Sequence, residues 1–265
     1  MNRCSDFWNL LATFHAEVED TNFDLASARL LLKEIQSPVL VVGAGQGLIV
    51  AELRKHGHQC DGVDLSPEMI RHAKLRRGIT LVHADARSMP FAAANYATVI
   101  YATGVIDFTG EDEDIRAMLM EGRRVVKASG KVFVAFYEVS AAQHNFLTRV
   151  GLLNNGVVAL RESFELYLLN PAQIVGWVAG RTGLGRLRAM LVLLRLVARS
   201  SIYEIRMALR MQRVIRKQGD LRALINAVPE KHPYRNEREI VNLFQRLGIP
   251  IKRFSALRSC NVVLI

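Results

Sequence analysis

In the first half of the chain, short unbroken apolar runs alternate with stretches of helical period. Val39–Val42 is one such run, mostly β-branched, which is the pattern of a strand covered on both faces. Residues 46–56 read as a helix and 58–64 as a second strand. Ser66 with Pro67 then marks a helix start, and that helix runs to about Arg77. Residues 79–83 and Tyr96–Tyr101 supply a third and a fourth strand. A helix over 112–127, a turn at Ser129 and Gly130, and a fifth strand over 131–137 complete the series. Alternation at this spacing predicts an α/β fold: a Rossmann-like, doubly wound, mostly parallel sheet.

The rhythm breaks after residue 139. Residues 140–235 read as several helices punctuated by Asn154-Asn155-Gly156, Asn170-Pro171, Thr182-Gly183 and Gly219-Asp220. An amphipathic helix over Glu237–Leu247, stopped by Gly248, then leads into extended segments over 251–256 and 259–265. The expected organisation is therefore an N-terminal helical lid (1–37), a sheet domain (38–139 with 236–265), and a helical insertion (140–235) that caps an acceptor site.

Charge sharpens this division. The net charge is +10, yet residues 1–139 balance at −3 and residues 236–265 at +3, whereas 140–235 alone carry +10. Any acidic partner is expected to meet the insertion. The three cysteines of the whole chain (Cys4, Cys60 and Cys260) are widely separated, without the paired spacing of a disulfide framework or zinc cluster, and no metal site is expected. The first fifteen residues are broken by Asn9, Thr13 and His15 and do not read as a signal peptide. No stretch approaches the roughly 18 apolar residues of a membrane span. A cytoplasmic protein, peripheral to a membrane at most, is the expectation.

The first strand runs into Gly43-Ala44-Gly45-Gln46-Gly47. Glycines here permit a sharp turn and close backbone approach to a ligand, and the following helix offers its N-terminal donors to an anion. A dinucleotide fingerprint needs its third glycine at position 48, which is Leu48, so the spacing disfavours a nicotinamide cofactor. Asp64 closes the second strand about 20 residues on, placed to accept from ribose hydroxyls. Asp85 follows the third strand and is placed to accept from an adenine amine.

These segments (GAGQG, then GVDLSPEMI at 62–70, HADARSMPF at 83–91 and EGRRVVKASGKV at 121–132) resemble the successive motifs of class I S-adenosylmethionine-dependent methyltransferases. The resemblance covers residues 38–138 and fits 236–265, but does not extend over 140–235. It implies S-adenosylmethionine as cofactor, with Gly43, Ala44 and Gly45 facing its methionine part and Gly47 completing the loop. It places Asp64 on the ribose, Leu65 against the adenine, Asp85 and Ala86 at the adenine amine, and Tyr101 with Ala102 along the site. Two departures stand out: Val41 where the family usually has an acid, and Tyr96 near where it often has Asp.

Methyl transfer requires chiefly that an acceptor atom be held in line with the methyl, with a base where an oxygen must lose its proton. His15 and His144 are the preferred bases among scattered candidates that include Tyr137, Tyr203 and His232. Trp8, Phe14, Asp107, Phe108 and Tyr137 are expected on the acceptor side. In the insertion, Arg188, Arg195, Arg199, Arg206, Arg210, Arg213 and Lys217 would share one face if 186–217 were a single helix, within roughly 60°. Such a stripe suits an anionic partner or membrane surface, or else a solvated face at the edge of a homodimer. The lack of interleaved aromatics tells against nucleic acid. The resulting expectation is a methyltransferase acting on an oxygen or nitrogen of a small, hydrophobic or anionic acceptor. An RNA methyltransferase and a non-catalytic cofactor-binding scaffold are the alternatives.

Overall fold

A computed structural model of the chain describes residues 8, 9, 12, 31–137, 141–166, 169–199, 209, 212–213, 225–226, 228, 230, 232–233, 235–256 and 260–265. It divides into two compact units. The first holds residues 1–16, 20–138 and 235–265, and the second 17–19 and 139–234.

The first unit opens with β1 (Val39–Val42), α1 (Leu48–Lys55), β2 (Cys60–Asp64), α2 (Pro67–Arg77), β3 (Val82–His83), β4 (Tyr96–Tyr101), α3 (Asp112–Val125) and β5 (Val126–Tyr137). Helix α2 starts where Ser66 accepts a hydrogen bond from Met69 N, with Pro67 in the first turn, and ends at a left-handed Gly78. Strand β5 begins five residues earlier than the sequence pattern predicts. Its register against β4 shifts between Tyr96 and Thr98, so the expected turn at Ser129 and Gly130 is absorbed as an irregularity within the strand.

The second unit contains α4 (Ala141–Arg149), β6 (Leu153–Asn154), β7 (Val157–Val158), α5 (Leu160–Glu165), α6 (Pro171–Thr182), α7 (Arg186–Arg199) and β8 (His232–Pro233). It is not purely helical: β6, β7 and β8 form a small antiparallel sheet. Val150, Leu152, Val178 and Ala189 make its core, and a reciprocal Asn170–Gln173 capping box starts α6.

The chain then returns to the first unit with α8 (Glu237–Leu247), β9 (Arg253–Ala256) and β10 (Cys260–Leu264). Asn236 and Glu239 form the capping box of α8. The seven-stranded sheet runs β3-β2-β1-β4-β5-β10-β9; β1 to β5 are parallel and β10 is antiparallel to both neighbours. Two apolar layers cover it. Leu40, Tyr101, Val134, Leu119 and Phe244 belong to one, and Val39, Val41, Leu53, Ile100 and Phe133 to the other. The chain leaves β1 in one direction for β2 and β3, then crosses to β4 on the other side. A switch of this kind leaves a crevice at the carboxyl ends of β1 and β4.

Candidate functional site

Four loops converge on that carboxyl edge. After β1, Gly43, Gly45 and Gly47 all adopt positive φ (70°, 53° and 79°), yet their surroundings differ. A Cβ at Gly43 would lie 2.1 Å from Val105 Cγ2, so this position accepts only glycine. At Gly45 no atom lies within 4 Å of where a Cβ would sit, so the backbone faces open space. Gly47 is the left-handed N-cap of α1.

Asp64, at the end of β2, locks this loop. Its Oδ2 accepts from Gly45 N at 2.7 Å and its Oδ1 from Ser66 N at 2.8 Å. Each oxygen keeps lone-pair capacity for a further donor such as a ribose hydroxyl. Burial pushes this carboxyl above its usual range, against the opposing pull of the Ser66 and Gly45 amides. Leu65 is half-buried beside it, and its carbonyl lies 3.1 Å from His83 Nε2.

The loop after β3 carries Asp85 and the half-buried Ala86. Arg87 grips the Asp85 carboxylate in a fork, Nε to Oδ1 at 3.0 Å and Nη2 to Oδ2 at 2.7 Å, and reaches Asp114 with Nη1 at 2.7 Å. The Arg87 side chain holds the Asp85 carboxyl below the usual carboxylate range, so it persists as an ionised acceptor. Helix α3 fastens the same loop: Glu121 Oε1 accepts from Met89 N at 2.6 Å, and Arg124 donates to the carbonyls of Met89 and Phe91.

After β4, Asp107 is buried and its Oδ2 accepts from Gly104 N at 3.0 Å. The buried Arg235 donates to the carbonyls of Ile106, Asp107 and Thr109 at 3.2, 3.1 and 3.0 Å, organising the whole turn. Trp8 Cη2 lies 3.0 Å from where a Cβ on Gly104 would sit, and the Trp8 ring packs edge-on against Phe108 with centroids 5.1 Å apart. The same N-terminal segment reaches two more loops. Ser66 Oγ donates to Asn9 Oδ1 at 2.7 Å, and Gln46 Nε2 donates to the Ala12 carbonyl at 2.8 Å. Gln46 Oε1 is buried with no partner among the described residues.

The structure thus gathers Gly43, Gly45, Gly47, Asp64, Leu65, Asp85, Ala86, Asp107, Phe108 and Trp8 on one edge of the sheet. Ala44, Tyr101 and Ala102 reach the edge only with their backbone; their side chains are buried in the apolar layers. The Tyr101 hydroxyl donates to the Met118 carbonyl, so any part Tyr101 has along the site falls to its backbone. The strand pleat turns its side chain inward. Val41, at the family's usual acidic position, is fully buried, and Tyr96 donates to Asp61 Oδ2 at 3.0 Å. His144 lies on α4 of the second unit, half-buried. His15, Phe14 and Tyr203, and the side chains of Tyr137 and His232, lie outside the described residues. Among the described residues no cluster of His, Cys, Asp and Glu has metal-binding spacing. Sequence reasoning missed Gln46, Arg87, Glu121, Arg124 and Arg235. The GAGQG, HADARSMPF and EGRR segments of the resemblance contain the first four of these without giving them a role, and Arg235 lies outside all of them.

Residues 40–134 match the family model of the methyltransferase domain. This stretch of the chain is a methyltransferase domain. This domain is 34% identical over 97 residues to a demethylmenaquinone methyltransferase of Corynebacterium urealyticum, covering 37% of this chain and 40% of that protein. A ubiquinone biosynthesis O-methyltransferase of Xanthomonas oryzae is 26% identical over 164 residues, covering 58% of this chain and 65% of that one. The matches therefore span less than two thirds of either relative. Among solved structures, a Pyrococcus horikoshii protein aligns with TM-score 0.54 at 15% identity, over 93% of this chain and 89% of its own. A SAM-dependent methyltransferase from Methanosarcina mazei aligns with TM-score 0.53 at 14% identity, over 89% and 95%. At such identities these two establish the methyltransferase domain's fold.

Proposed function

We propose that the chain is an S-adenosylmethionine-dependent methyltransferase acting on a small, hydrophobic acceptor. The observation that carries this reading is Asp64, fixed by two backbone donors beside the open face of Gly45. The residues present fit the cofactor. Asp64 holds the ribose, Gly45 and its neighbours bring backbone to the methionine part, Leu65 flanks the adenine, and Asp85 with Ala86 addresses its amine. The unpartnered Gln46 Oε1 offers an additional acceptor in the loop that would hold the methionine part. When bound, the cofactor supplies an electrophilic sulfonium methyl. The chain's own contribution is to hold an acceptor in line and exclude water, for which Trp8 and Phe108 supply apolar surface next to the turn after β4.

Relatives named for demethylmenaquinone and ubiquinone biosynthesis support a lipophilic, quinone-like acceptor, and the name O-methyltransferase of the second supports an oxygen nucleophile. His144 and His15 remain the residues proposed to take up its proton. The arginines of α7 support an anionic partner. Calorimetric titration with S-adenosylhomocysteine tests the cofactor assignment: binding by the parent and its loss in Asp64→Ala are expected. Equal affinity in the two proteins rejects the ribose role of Asp64. Transfer of labelled methyl from the cofactor to a lipid extract, but not to RNA, tests the acceptor class.

A further inference from the structure

Helix α7 buries very little of its apolar surface. Ala189 and Val192 are its buried residues, with Leu193 and Leu196 half-buried beside them. At about 100° per residue these four define one face. Leu187, Met190, Leu191, Leu194 and Val197 lie on the opposite face and are 42% to 69% exposed. They account for five of the nine large apolar side chains most exposed among the described residues. A continuous ridge of this kind, spanning the whole helix, is unlike the scattered single apolar residues of an ordinary surface.

The charges around the ridge are ordered. Arg188, Arg195 and Arg199 are exposed and fall within about 40° of one another, between the ridge and the buried face. Arg186 lies on the ridge's other flank, at the start of the helix. The helix contains no Asp or Glu, and none occurs from residue 166 to 203. A second copy of this helix would therefore bring no carboxylate to pair with the arginines. An aqueous anion would satisfy the arginines but leave the ridge wet. A surface that is apolar in its depth and anionic at its rim satisfies both. Arginine stems lie along apolar surface while their guanidinium groups stay among headgroups, which is the arrangement a flanking arginine row provides.

We propose that the exposed ridge of α7, with its arginine flanks, seats the protein on an anionic membrane surface. The helix lies in the interface rather than across it. It has 14 residues, and no described helix is long and apolar enough to cross a membrane. This inference is independent of methyl transfer, since it rests on α7 alone.

The test is flotation of the full chain with vesicles of phosphatidylcholine, with and without phosphatidylglycerol. Binding is expected only where phosphatidylglycerol is present, and it weakens as salt is raised. Arg188→Gln, Arg195→Gln and Arg199→Gln together should lower the vesicle partition constant about a hundredfold. Leu191→Ser with Leu194→Ser should lower it on the order of tenfold or more, while circular dichroism and S-adenosylhomocysteine affinity stay at parent values because both leucines are exposed. Equal flotation of parent and variants overturns the proposal. So does a parent that ignores the vesicles and sediments as a dimer which the leucine substitutions dissociate, because a second copy would then cover the ridge.

Discussion

Burial raises the Asp64 carboxyl while two backbone amides favour its ionised form, as would the ribose hydroxyls proposed to meet it. The sign follows from linkage. A folded-state value above the ordinary one means that the ionised group weakens the ligand-free fold above that pH, and that the penalty fades as pH falls toward the usual carboxylate range. Donors from a ligand act on the ionised form, so cofactor affinity is highest above the raised value and is lost as pH falls through it. Titration calorimetry across acidic pH should show this loss beginning above the usual carboxylate range, and a flat profile there would exclude Asp64 as the acceptor. Asp64→Asn should weaken binding by about ten- to a hundredfold, because an amide offers one acceptor oxygen where two backbone donors and the ribose need more. Cys60 is a simpler case. Its thiol is pushed up to about 12 by burial, so it stays protonated and inert at neutral pH. Iodoacetamide should leave Cys60 unmodified in the native protein and alkylate it in urea, as read by peptide mass spectrometry.

Two loops at the site take their shape from charged side chains distant in sequence. Arg235 stands 126 to 129 residues from the carbonyls it organises after β4, and Asp107 closes the same turn from within. Arg235→Met would leave buried carbonyls without donors, and should destabilise the protein by about 2–3 kcal/mol in urea titrations. It should also alter Trp8 fluorescence, since Trp8 rests on Gly104 and Phe108; an unchanged spectrum and midpoint would deny the turn its anchor. The loop after β3 depends similarly on α3. Glu121→Ala removes the acceptor of Met89 N and the partner of Arg124, and should cost about 1–2 kcal/mol, with a weaker hold on S-adenosylhomocysteine through the loosened Asp85 loop. A parent-like cofactor affinity would mean that the loop is held without Glu121.

At the scale of the molecule, the glycine and aspartate loops and the exposed ridge of α7 belong to separate compact units. Hydrogen exchange with S-adenosylhomocysteine present should protect residues 43–47, 64–66, 85–88 and 102–105, and leave the small sheet of Leu153–Val158 unchanged. Protection confined to the second unit would place the ligand elsewhere. Sequence alone determined the parallel sheet, because runs such as Val39–Val42 have no polar face to leave in water, and it determined the glycine-loop and aspartate positions because these sit where each strand pattern stops. It also located the basic character in the insertion. Tertiary structure decided the rest. Which of the three glycines faces open space depends on Val105, Ala73 and Ile79, and the inward turn of Tyr101 depends on pleat and register. The stapling by Arg235 and Glu121 joins residues whose separation along the chain leaves no periodic trace. Above all, a helical pattern reports that α7 has apolar sides but not which of them the fold covers. Burial is a property of neighbours brought together by the chain's path, and only their assembly left the Leu187–Val197 ridge in water.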